Sequence, residues 1–196
     1  MLFRSHWSSP AGKGIYATTL LMRPASELPM VPLEIANIVA TYLRETFAVE
    51  ARIKWPNDIL VGGRKIAGIL IEARTRDDHV LLIVGTGVNV EPATGDDRPN
   101  SVSLAEVSPR DFRGISTATE AFIEHVDARV AQPFENERVL AEWRRLAVHA
   151  NGDRVSCVLG DRTVSGAWAG IDEHGRAMLR DGAGMTAVSA GDLILT

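Results

Sequence analysis

The sequence predicts an α/β protein of the α+β kind, with a mainly antiparallel or mixed sheet and helices first and a small SH3-like β-barrel after it. Three observations carry this. A strand-then-helix pattern opens the chain, a run of strand candidates joined by hairpin signals follows, and five short strands fill the last stretch of about 45 residues. At 196 residues the chain is long enough for one good core, or for a domain with a small appendage.

The first strand candidate is Ile15-Tyr16-Ala17-Thr18-Thr19-Leu20-Leu21-Met22, β-rich and mostly apolar. Pro32 then opens a helix in which Leu33, Ile35, Ala36, Val39, Tyr42 and Leu43 recur at helical spacing up to about Phe47. Residues 52–55, 59–61, 65–73 and 80–84 are further strand candidates. Gly62-Gly63 suits the hairpin between two of them, because adjacent glycines accept the positive φ angles of a primed turn.

From Pro92 to Gly114 the composition turns polar, with a short helix expected near residues 103–107. Ser116 is expected to cap a helix running to about Ala131, and a second helix from Asn136 carries Val139, Leu140, Trp143 and Leu146 on one face. After Gly152 the short strands lie at 154–159, 162–171, 177–179, 186–188 and 193–195, with turn signals between them. The expected division is a first unit over 1–151 and a barrel over 152–196.

Composition excludes several functions. A net charge of −4 without a basic cluster argues against a nucleic-acid binder that works by neutralising phosphates. No apolar run approaches the roughly 18 residues of a membrane span, and the first residues lack the apolar core of a signal peptide. One cysteine permits no internal disulfide, so a reducing cytoplasm is the expected location. His6, His79, His125, His149 and His174 are scattered without ligand spacing, and Cys157 sits in an apolar strand, against a zinc site or a cysteine nucleophile. Ser101, Ser103 and Ser108 lack the context of a nucleophile elbow, and Trp143 and Trp168 read as packing residues.

Lys65 is the first candidate for chemistry. It stands at the entrance of a strand whose next residues, Ile66 to Ile71, are apolar on both faces, so its ammonium is expected in a polar cleft. Such a cation stabilises negative charge where a carboxylate attacks a phosphate. The strand pattern alone favours an exposed hairpin lysine beside Arg64. Gly68 inside the same strand marks either close passage of a ligand or tight sheet packing. Lys54-Trp55-Pro56-Asn57-Asp58 ends one strand and turns into the next, and its amide, carboxylate and amine suit a nucleotide with Mg²⁺; a plain Pro-Asn-Asp turn looks similar. Gly85-Thr86-Gly87-Val88-Asn89 fails as a dinucleotide fingerprint, since no third glycine follows at the required spacing and no helix opens after it.

These blocks, with Trp7-Ser8-Ser9-Pro10, resemble the catalytic core of the biotin protein ligases, in order and over nearly the whole chain. The resemblance implies a mixed sheet like that of class II aminoacyl-tRNA synthetases. It also implies a reaction in which biotin and ATP give biotinyl-5′-AMP, whose acyl group passes to a lysine of the biotin carboxyl carrier domain of a carboxylase. Lys65 is then the catalytic residue and a biotin contact, and Gly68, Ile69, Leu70, Gly85 and Tyr16 shape the biotin pocket. Trp7, Lys54, Asn57, Asp58 and Asn89 surround ATP, with Asp58 a ligand of Mg²⁺.

The family's glycine- and arginine-rich adenylate loop would fall before Met1, so the natural reading frame is expected to begin further upstream. A DNA-binding module like that of some members is likewise missing from the sequence, and this chain is not expected to bind an operator. Edge strands leave room for a homodimer. Two other readings stand beside the ligase: a non-catalytic module that binds biotin or a carrier domain, and an acyltransferase related to lipoate ligases.

Overall fold

The computed structural model describes residues 9–76, 78–92, 100–110 and 114–195. Five strands form the first sheet: β1 (Gly14–Pro24), β2 (Arg52–Lys54), β3 (Asp58–Val61), β4 (Arg64–Arg76) and β5 (His79–Asn89). Their spatial order is β1-β5-β4-β3-β2, and each neighbouring pair is antiparallel. Helices α1 (Val31–Phe47), α3 (Ile115–Val130) and α4 (Asn136–Leu146) pack together against it, and a short α2 (Leu104–Val107) lies between sheet and helices in the sequence.

The strands outrun their sequence signals. β5 continues through Gly85-Thr86-Gly87-Val88-Asn89, where the glycines suggested an end, because β1 and β4 pair with it on both sides along that stretch. Ladder hydrogen bonds on two edges outweigh the weak strand propensity of glycine. The α3 boundary also differs: Gly114, with φ of 93°, stands at the cap, and Ser116 lies inside the first turn.

α1 is buried on nearly every side, from Val31 to Leu43, beyond the single apolar stripe the sequence suggested. Pro32 fits in its first turn because the N–H it lacks has no intrahelical acceptor there. Three buried polar residues clip this helix to its neighbours. Asn37 Nδ2 donates to Val139 O of α4 at 2.9 Å, the Thr41 hydroxyl lies 3.2 Å from His125 Nε2 of α3, and Glu34 pairs with Arg23 of β1 at 3.3 Å. Burial raises the Glu34 carboxyl above its ordinary range, while Arg23 opposes the shift. Nearby, Tyr42 donates to Ala118 O of α3 and stacks edge-on against Phe47 and Phe122.

The second sheet contains β6 (Arg154–Leu159), β7 (Arg162–Ile171), β8 (Ala177–Asp181), β9 (Gly184–Val188) and β10 (Asp192–Leu195), in the order β10-β6-β7-β8-β9. The short antiparallel strands after Gly152 are therefore present; among the described residues no pairing joins β9 to β10. Cys157 is buried in β6, and Trp143 and Trp168 are buried packing residues.

One apolar core runs through both sheets. At the junction Val148 N donates to Ile53 O at 2.9 Å, and the His149 ring lies 4.6 Å from that of Trp168. Trp55 donates its backbone N–H to His149 Nε2 and its indole N–H to Gly175 O, each at 3.1 Å. Among the described residues, no helix is long and apolar enough to cross a membrane.

His149 gives the junction a pH dependence. Burial lowers its pKa from 6.5 to about 4; Lys54 adds to the lowering and Asp153 opposes it. The folded protein thus holds a neutral ring that the unfolded chain protonates more readily. The stability is fully present above pH 6.5 and is lost as pH falls from there toward 4, by up to about 3 kcal/mol in total. Urea denaturation midpoints between pH 7 and pH 5 are expected to fall more steeply for the native protein than for His149→Gln, which cannot titrate.

Candidate active site

Strand alternation leaves one face of the first sheet on the helices and the other open. Ile15, Ala67, Ile69, Val84, Thr86 and Val88 lie on the packed face. The opposite face of β1 carries Tyr16, Thr18, Leu20 and Met22, all exposed. Directly paired residues share a face, so the register defines rows across this open surface. One row is Asp58 on β3, Gly68 on β4, Gly87 on β5 and Tyr16 on β1; the next is Leu70, Gly85 and Thr18.

This makes a floor of three glycines with a carboxylate at one end and a phenol at the other, roughly 14 Å across at ordinary strand spacing. A Cβ on Gly85 would meet only ordinary contacts, the nearest being Leu70 O at 3.7 Å. Gly85 is half-buried, whereas Gly68 and Gly87 are buried. Leu20 and Met22 are each 65% exposed and Leu70 is 59% exposed, so the floor has apolar surroundings of the kind a ligand or partner covers. The strand after Lys65 is therefore buried only as far as Ile69, a correction to the expectation that it lies deep throughout.

Gly14 accounts for the position of Tyr16. A Cβ there would stand 2.5 Å from Val88 O and 2.9 Å from the tyrosine oxygen, so only glycine leaves room for the ring to fold back. The Tyr16 hydroxyl donates to Pro10 O at 3.2 Å.

The turn between β2 and β3 holds its polar groups by backbone anchors. The Trp55–Pro56 peptide is cis. Asn57 grips Ile69 of β4 twice, its amide donating to Ile69 O at 2.6 Å and its carbonyl accepting from Ile69 N at 3.1 Å. Asp58 then meets Lys65, with Nζ to Oδ1 at 2.5 Å. A register shift between Ile59 and Leu60 interrupts the β3–β4 ladder beside this pair. The Lys65 side chain is 31% exposed and that of Asp58 22%, so their pairing is worth about 1 kcal/mol and yields readily to an incoming anion.

The Lys65 backbone is held more firmly. Its N–H donates to Asn100 O at 2.8 Å, and its carbonyl accepts from Val102 N at 2.9 Å and from Asn89 Nδ2 at 3.3 Å. Asn89 also donates to Val102 O, so its buried amide staples β4 to the 100–102 segment. Burying such donors unpaired would cost about 1–3 kcal/mol each, which favours this arrangement.

Lys65, Asp58, Asn57, Gly68, Ile69, Leu70, Gly85 and Tyr16 are thus gathered on or beside one face, although Ile69 turns its side chain to the core. Lys54 is directed elsewhere, to Asp192 of β10 at 3.0 Å. Asn89 serves the backbone of Lys65. Trp7 lies outside the described residues. Sequence reasoning missed Gly87, which completes the floor, and the role of residues 100–102; the first was visible as a glycine two positions beyond Gly85, whereas the second had no local signal. Among the described residues no group of three or more His, Cys, Asp or Glu is arranged to hold a metal.

Comparison with known proteins shows what the chain is similar to. Residues 3–89 match the model of the Biotin/lipoate A/B protein ligase family. The bifunctional ligase/repressor BirA of Bacillus subtilis is 28% identical over 203 residues, covering 96% of this chain and 60% of that protein. The biotin–[acetyl-CoA-carboxylase] ligase of Mycobacterium tuberculosis is 33% identical over 149 residues, covering 74% of this chain and 53% of that one. The chain thus spans little more than half the length of these relatives. The crystal structure of biotin protein ligase from Aquifex aeolicus shares its fold, with a TM-score of 0.76 at 23% identity over 94% of this chain and 82% of that one. Over residues 3–89, somewhat less than half of its length, the chain is similar to the biotin/lipoate A/B protein ligase family.

Proposed function

We propose that the open face of the first sheet binds biotin, and that the protein activates it with ATP and transfers it to a lysine of a biotin carboxyl carrier domain. The carrying observation is the row Asp58–Gly68–Gly87–Tyr16, with Lys65 drawn onto Asp58 at its end. The glycine floor lets a fused ureido bicycle approach the backbone, Tyr16 and Leu70 flank it, and Ile69 and Gly85 shape the surface. The carboxylate of such a ligand is then directed toward the Lys65 end.

In the first step a carboxylate oxygen of biotin attacks the α-phosphorus of ATP. The bond to the β-phosphate oxygen breaks and pyrophosphate leaves. Lys65 exchanges Asp58 for the charge that builds on the α-phosphate, an exchange made easy by the small worth of the existing pair. Asn57, Asn89, Lys54 and Trp7 are assigned to the nucleotide. In the second step the carrier lysine amine attacks the acyl carbon, AMP leaves, and the amine loses its proton.

Mg²⁺ fits the donor set at Asp58. One carboxylate, completed by waters and phosphate oxygens, is an ordinary way to bind this ion, which would neutralise phosphate charge. Residues 1–151 form the catalytic unit in this reading, with a sheet of the class II synthetase kind, and 152–196 form an SH3-like unit. Location in the cytoplasm, absence of nucleic-acid binding by this chain, and a homodimer through edge strands belong to the same proposal.

The test uses the protein as its natural gene encodes it. Biotin-dependent exchange between ATP and pyrophosphate is expected, and Lys65→Ala is expected to lower it by about 10²-fold or more with an unchanged circular dichroism spectrum. Unaltered exchange in that variant would remove Lys65 from the mechanism; biotin binding without any exchange in the native protein would favour a non-catalytic module. For Asp58→Asn, the Mg²⁺ concentration giving half-maximal exchange is expected to rise about tenfold, whereas an unchanged requirement would remove Asp58 as a ligand.

A further inference from the structure

The turn that carries Asn57 and Asp58 is seated on the second sheet and the segment leading into it. Three polar contacts make the seat: Trp55 N–H to His149 Nε2, the Trp55 indole N–H to Gly175 O, and Lys54 Nζ to Asp192 Oδ1. Two of the three acceptors lie in the second sheet or its loops. The third, His149, belongs to the segment entering that sheet and lies against Trp168 of β7.

Packing alone does not fix the turn. A cleft of about 360 Å³ lies beside it, lined by Pro32, Leu33, Trp55, Pro56, His174 and Arg176 among others. With open space on that side, Pro56 is held through Trp55 by the polar contacts, while Asn57 and Asp58 are tied on their other side to β4. Gly175 sits at the margin of the cleft with φ of 73°, and a Cβ there would stand 2.3 Å from Leu33 Cδ1. The loop that receives the indole therefore lies against the start of α1 with no room for a side chain.

His149 also fixes its own proton. Accepting from Trp55 N–H requires a bare Nε2, so the ring hydrogen is on Nδ1, and that buried atom has no hydrogen-bond partner among the described residues. A buried donor without a partner is costly. The arrangement gives up one hydrogen bond to keep an acceptor aimed at Trp55. Protonation would place a second donor against the Trp55 N–H and break the contact. Asp153 on the adjoining turn favours that protonation, and Lys54 of β2, itself paired with Asp192 of β10, opposes it.

We infer that His149 is a positioning residue for nucleotide use: through the Trp55 backbone N–H it couples the second sheet to the turn bearing Asn57 and Asp58. The inference rests on the proposed ligase reading for its consequence in catalysis, while the coupling itself is a property of the fold.

The experiment compares His149→Phe, which keeps a ring and removes the acceptor, with His149→Gln, whose amide oxygen restores one, in the protein as its natural gene encodes it. In biotin-dependent ATP–pyrophosphate exchange, His149→Phe is expected to raise KM for ATP about tenfold and to leave KM for biotin within about twofold. His149→Gln is expected to recover most of the loss. Native activity at low ATP should decline as pH falls toward 4, where His149 takes up its proton, and the Gln variant should lack that part of the decline.

An equal loss toward both substrates, or no rescue by a folded Gln variant, would overturn the inference. If the native protein shows no exchange, the ligase reading fails, and amide NMR decides the coupling separately. The Asn57 and Asp58 amide signals are expected to shift in His149→Phe and to return in His149→Gln; signals that stay in place would overturn the coupling as well.

Discussion

The structure depends on a period of two. Once β1, β5 and β4 pair in their observed register, each residue is committed to the packed face or the open one, and a slip of one position would exchange them. The apolar set of Ile15, Ile69, Val84 and Val88 fixes that register by its burial against the helices. The same commitment places Gly68, Gly85 and Gly87 together on the open side. The floor is thus a consequence of core packing, and its shape is set by residues that never touch it.

Two grades of interaction divide the site. Lys65 and Asp58 form a partly exposed pair of small energetic worth, suited to rearrangement when charge arrives. The backbone beneath them is held by buried or strand-like hydrogen bonds from Asn57, Asn89 and residues 100–102, which are expensive to lose. A rigid frame therefore carries a partly exposed charged pair, an arrangement suited to charge stabilisation. The second sheet extends the frame: Trp55 reaches it by backbone and indole, and Lys54 by its amine.

Most elements were legible because their signals are local. The helix opened by Pro32, the Gly62-Gly63 hairpin and the short strands after Gly152 announced themselves by spacing and turn residues. Lys65 and Asp58 were identified as candidates from their places at strand ends and Gly68 from its place inside a strand, and the fold gathers them. What escaped depends on distant partners. The continuation of β5 through its glycines requires strands on both sides, and the burial of α1 on nearly all sides requires α3 and α4. The pairing of Lys54 with Asp192, far along the chain, had no local signal either. The exposure of Leu70 was hidden by an apolar run that suggested burial on both faces.

The central claim is that the glycine floor of the first sheet is the biotin surface. Titrating biotin into the ¹⁵N-labelled protein and following its amide signals tests this directly. The account requires the largest shifts at Gly68, Leu70, Gly85 and Gly87, with Tyr16 and Lys65 next. Shifts confined to the helices or to the second sheet, or no shift at millimolar biotin, would contradict it.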